Sequence, residues 1–201
     1  MLVAVAPYTR FSWFLYRAVQ ATGTRPNPWQ MAVLCMAVQL VLLLGIVTLW
    51  EERPLASLGA VALRRSELLW GIIGFVIIRT GDFVWGSAMI PPSFEHSAQH
   101  ELAVAVTQSS VWRVIFAISA SLFEECFFRG YTIERVAEIT GSLWFGAILG
   151  TVVDLYIHAV SWGASMVVYY AFSEFCLATL YIWRRNLPPC IIAHFLMDAS
   201  R

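Results

Sequence analysis

From Met31 to Trp50 the chain carries no charged residue, and Arg25-Pro26-Asn27-Pro28 and Glu51-Glu52-Arg53-Pro54 bracket that run. About 20 mostly apolar residues are what a helix needs to cross the hydrocarbon core of a bilayer. The rest of the sequence repeats the pattern less cleanly. Leu68 to Ile90 is a second apolar segment, interrupted by Arg79 and Asp82, which sit three apart on one helical face and can pair. Further segments run from Val111 to about Glu138, from Leu143 to Trp162 and from Ala164 to Trp183. Arg184-Arg185-Asn186-Leu187-Pro188-Pro189 reads as a turn before a short final helix, Cys190 to Ala199.

Composition supports this reading. Charged residues make up 13% of the 201 and the mean hydropathy is +0.69, against about 25% charged in ordinary soluble domains. The expected fold is therefore all-α, a polytopic transmembrane helix bundle with a central polar cavity. Residues 1–30 form an N-terminal segment in which Phe11 to Ala21, aromatic between Arg10 and Arg17, suits an interfacial helix. Residues 31–201 read as one helical domain without repeats or a linker. The formal net charge is zero, so nothing in the balance points to nucleic acid as a partner; the lipid bilayer is the expected one. Cys35, Cys126, Cys176 and Cys190 all lie in apolar segments and read as reduced thiols. Arginines at 53, 64 and 65 place the loop after the first span on the cytoplasmic side, together with Arg129, Arg135, Arg184 and Arg185. The three N-terminal arginines conflict with that count.

Against this apolar background, Glu124-Glu125-Cys126-Phe127-Phe128-Arg129-Gly130 stands out. A charge at bilayer depth costs roughly 2.5 to 3.5 kcal/mol on insertion scales, so two adjacent carboxylates require partners or a task. Three polar pairs recur at i, i+4: Glu125 with Arg129, Asp154 with His158, and His194 with Asp198. Each projects from one face of its own helix, and all three faces are expected to converge on an interior site. Glu124 points about 100° away from Glu125 and has no partner four residues on. Glu125 with Arg129 reads as a neutralised pair that fixes packing; Glu174 is either a packing carboxylate or a supporting partner of the site. His96, His100 and Glu101 fall in a polar loop and read as solvated.

These residues carry a resemblance. Glu-Glu-x-x-x-Arg, as Glu124 to Arg129 followed by Gly130-Tyr131, resembles the first motif of the CPBP intramembrane proteases, which include the CAAX prenyl endopeptidases and the bacteriocin-processing or Abi proteins. His194-x-x-x-Asp198 is similar to that family's third motif, His-x-x-x-Asn/Asp. The second, Phe-x-x-x-His, is matched in part: His158 is present and Asp154 stands at the Phe position. Arg53-Pro54-Leu55-Ala56-Ser57-Leu58-Gly59 resembles the family's loop after an early span.

The resemblance implies an intramembrane endopeptidase acting on a peptide or membrane-protein substrate, integral to a bacterial inner membrane. Glu124 would be the base that activates water. His158 would help hold the water, while His194 and Asp198 would line the oxyanion side, with Glu125, Arg129 and Asp154 in support. Two versions stay open, a metal-free glutamate mechanism and a zinc site built from Glu124, His158 and His194. A catalytically inactive immunity or partner-binding protein on the same scaffold is the alternative, motivated by Asp154. An ion-coupled carrier is a third reading, disfavoured because no inverted repeat is apparent.

Overall fold

The computed structural model describes residues 10–23, 28–86, 109–162, 164 and 167–200. Among them there is no strand, and the chain is an all-α bundle. The helices are α1 (Arg10–Gln20), α2 (Pro28–Gly45), α3 (Arg65–Gly81), α4 (Ser110–Glu124), α5 (Glu134–Thr140), α6 (Leu143–Trp162), α7 (Val167–Arg184) and α8 (Leu187–Ala199). His96, His100 and Glu101 lie outside the described residues.

The boundaries follow local chemistry. Helix α2 continues through a π-helical turn, Ile46–Trp50, which stops at the Glu51-Glu52-Arg53-Pro54 cluster. Helices α4 and α5 are two ends of one continuous helix, joined by a nine-residue π-helical segment, Glu125–Ile133. Gly141 closes it at φ +74°, its N–H donating to the Ala137 carbonyl, in the left-handed conformation that glycine adopts without penalty. The last helix begins earlier than the sequence suggested. Pro188 and Pro189 belong to the first turn of α8, where a missing N–H costs nothing because those donors have no intrahelical acceptor. The turn shrinks to Arg185-Asn186, with Arg185 at φ +51°.

Helix α8 lies in the middle, packed most extensively on α3 and α4, while α6 packs on the π segment and α7. One buried cluster gathers Val47, Leu58, Ile78, Leu177, Tyr181 and Met197, and a second joins Met36 and Leu43 of α2 to Phe123, Phe127 and Phe128. Two glycines let α6 approach the backbone of the π segment closely. A Cβ on Gly146 would sit 2.8 Å from the Ile133 carbonyl oxygen, and one on Gly150 would sit 3.1 Å from that of Phe128. Four residues apart, they let α6 settle on the backbone of the π segment, the small-xxx-small device of membrane helix pairs. Asp154 and His158 continue the same face at steps of four. The glycine stripe therefore aims both polar side chains at the π segment.

The outer surface is the reverse of a soluble protein's. Leu49 and Trp50 are more than four-fifths exposed, and Ile148, Val152 and Val160 of α6 are more than half exposed. Two helical stretches, Gln30–Trp50 and Leu143–Val160, are long and apolar enough to cross a membrane. Polar contacts collect at one end instead. Arg135 binds Glu51 at 2.6 Å, Arg53 meets Glu138 at 2.5 Å, Arg185 reaches Glu134 at 2.8 Å and Arg184 reaches Glu67 at 2.8 Å. The four cysteines are free, and Arg79 pairs with Asp82 at 3.4 Å.

Candidate active site

Arg129 is the hub of the interior. Its guanidinium is 2% exposed and meets three carboxylates from three elements. Nη1 lies 3.3 Å from Glu125 Oε1 and 3.2 Å from Asp154 Oδ2, and Nη2 donates to Glu174 Oε2. Arginine suits this place because its planar fork presents several donors at fixed angles and stays charged. The expected Glu125–Arg129 pair is present, and two further partners come from α6 and α7.

Each of two carboxylates leads on to a histidine. His194 of α8 donates from Nδ1 to Glu125 Oε1 at 2.7 Å, and its Nε2 faces Glu124 Oε2 at 3.7 Å and Asp198 Oδ2 at 3.5 Å. His158 of α6 donates from Nδ1 to the main-chain carbonyl of Asp154 at 3.0 Å, and the same nitrogen lies 3.2 Å from Asp154 Oδ1. Its ring rests 4.2 Å from that of Tyr170 on α7. The chain of contacts thus runs from His158 through Asp154, Arg129 and Glu125 to His194.

Exposure divides the cluster. The side chains of Glu125, Arg129, Asp154 and Glu174 are 5% exposed or less, whereas Glu124 keeps 22%, His158 and Asp198 15% each and His194 9%. The four residues with access are the four expected to do the chemistry. Adjacent in sequence, Glu124 and Glu125 diverge because successive helical residues point about 100° apart. Glu124 closes α4 and Glu125 opens the π segment, where the Thr132 hydroxyl donates to the Phe127 carbonyl. Such insertions re-aim side chains and are frequent at functional sites.

Three features were not read from the sequence. The Glu125–His194 bond joins residues 69 positions apart, and no local pattern announces it. For Glu174 the signal in the sequence is a lone carboxylate inside an apolar segment, which does not name its partner. Tyr170 carried no signal at all. The expected ligand trio Glu124, His158 and His194 is also not the set brought closest. Among the described residues, Glu124, Asp154 and His158 have ligand atoms within 4.8 Å of one another, while His194 is engaged by Glu125 and Asp198.

The bundle and its buried ionisable cluster define an integral membrane protein with a polar site among apolar helices. Residues 106–200 match the family model described as Rce1-like, type II CAAX prenyl endopeptidase. No curated protein and no solved structure matches the chain significantly.

Proposed function

We propose that the protein is an intramembrane endopeptidase in which Glu124 takes a proton from water as the resulting hydroxide attacks a peptide carbonyl carbon. The observation that carries this reading is the contrast between the two acids. Glu125 is sealed and bonded to Arg129 and His194, while Glu124 retains access and faces His194 Nε2 across 3.7 Å. A base must reach the proton it removes, and geometry selects before acidity does.

His158 and His194 flank the water and the carbonyl, supplying hydrogen bonds to the oxygen that becomes negative in the tetrahedral intermediate. The proton held by Glu124 then passes to the amine as the C–N bond breaks, and a carboxylate and a free amine leave. Asp198 and Glu125 hold His194 from either side, and Asp154 holds His158. A metal version of the site would recruit Glu124, His158 and His194, and its ion would supply a Lewis acid beside the water.

The substrate class is a peptide or membrane-protein segment that reaches the site from the bilayer. Arg53, Arg135 and Arg185 at one end of the bundle support that end as cytoplasmic, in a bacterial inner membrane, with α1 lying along the membrane surface. Comparison of membrane-protein termini in cells carrying wild type or Glu124→Gln tests the proposal. A cleavage product present with wild type and missing with the variant is expected, and identical products in both would refute it. Protection by an inactive immunity protein would instead survive Glu124→Gln unchanged.

A further inference from the structure

We propose that the groove between α3 and α7 holds one anionic phospholipid, with an acyl chain between the helices and its phosphate at Arg64 and Arg65. The groove is a hollow of about 270 Å³ walled by Trp70, Ile73 and Ile77 of α3 and by Phe175, Leu180 and Trp183 of α7. From Trp70 to Ile77 it runs about 10 Å along the helix axis. None of its walls belongs to the Arg129 cluster, so the proposed chemistry does not use it. Apolar side chains around an empty hollow forfeit packing contacts, and a flexible hydrocarbon chain restores them. An entire helix is about 10 Å across with its side chains, so a second copy of the bundle does not fit into the groove.

The mouth of the groove lies at the polar end of the bundle. Trp70 and Trp183 meet there edge to face, with ring centres 4.4 Å apart, and the Arg184 guanidinium stands 5.7 and 5.3 Å from the two rings. Tryptophan and arginine in company mark headgroup depth, which puts an acyl chain in the hollow and its phosphate beyond the two rings. Charge at this mouth is one-sided. Arg184 is offset by Glu67 and Arg185 by Glu134, each at 2.8 Å. Arg64 and Arg65, where α3 begins, are exposed, and neither forms an ion pair among the described residues. Arg65 stands about 7.5 Å before Trp70 along the axis, a span that an arginine side chain covers. Two uncompensated cations above an apolar hollow complement a phosphate above a hydrocarbon chain. Basic pockets between spanning helices on the cytoplasmic side select anionic headgroups in this way. A zwitterionic headgroup carries its own cation and gains less.

The lipid site does not rest on the peptidase reading, and its test needs no substrate. Full-length protein in detergent, stripped of lipid, is mixed with dioleoyl phosphatidylglycerol or dioleoyl phosphatidylcholine and read by native mass spectrometry. One phosphatidylglycerol per chain is expected, held about tenfold or more tightly than phosphatidylcholine. Arg64→Gln combined with Arg65→Gln should weaken phosphatidylglycerol by about tenfold to thirtyfold and leave phosphatidylcholine within about twofold. Ile73→Trp fills the hollow and should displace both lipids with both arginines in place. Glycerol phosphate, a headgroup without chains, should not compete. Equal affinity for the two lipids, no loss in the arginine variant, unchanged binding in Ile73→Trp or competition by glycerol phosphate would overturn the proposal. So would a dimer that excludes lipid. Should Ile73→Trp fail to give a monodisperse protein, the arginine variant and the glycerol phosphate competition decide.

Discussion

Arg129 is where one residue decides most. Three carboxylates and one guanidinium form a single buried unit, and removing the cation strands three acids at once. Breaking a buried pair from one side costs about 3 to 5 kcal/mol, so Arg129→Gln should lower the thermal midpoint in detergent markedly. Arg129→Lys should recover only part of the loss, because a point charge cannot satisfy a fork. Differential scanning fluorimetry of the three proteins checks the order. The sequence showed that Glu125 and Arg129 share a helical face, since i, i+4 spacing is local. It did not show that Asp154, Glu174 and His194 complete the unit, because those contacts span 25, 45 and 69 positions. Their pairing depends on how four elements pack.

At the scale of elements, the glycine stripe of α6 and the π segment form one device. Gly146→Val places carbon 2.8 Å from a carbonyl oxygen of the segment. Backbone yields less than a side chain, so a loss of about 1 to 3 kcal/mol is expected, with Asp154 displaced from Arg129 and processing reduced. Gly141→Ala makes a useful contrast. It has open space around it but φ +74°, so it should cost about 1 kcal/mol through strain and leave processing intact. Parallel measurements of melting and processing separate the two. The α6 boundaries, Leu143 to Trp162, were legible in the sequence because apolar length decides them. The π segment was not, since its sequence carries no marker that separates one helix type from the other. The start of α8 was misread because prolines suit a first turn as well as the loop before it.

For the whole molecule, the polar end ties α2, the following loop and α5 together outside the apolar spans. The Arg135 guanidinium, bonded to Glu51, holds that carboxyl below its ordinary value of 4.5. A lowered folded-state value means the bond contributes fully above pH 4.5 and is lost as pH falls through the folded value. Wild type should therefore melt above Glu51→Gln at pH 7 by an amount worth up to about 1 kcal/mol. The gap should close as the buffer is taken below pH 4. A gap that stays constant with pH would assign the difference to packing. The bundle class was readable from the whole sequence, because sparse charge leaves few alternatives to a membrane. Arg53, Arg135, Arg184 and Arg185 all form ion pairs at that polar end.

The central claim is that adjacent glutamates have different tasks, Glu124 taking the proton and Glu125 holding Arg129 and His194. It is tested most directly by the rate at which purified Glu124→Gln, reconstituted in lipid, cleaves the substrate identified in cells. With folding and melting temperature near wild type, the rate should fall by about 10² to 10⁴. A Glu124→Gln protein that cleaves at the wild-type rate would contradict the account.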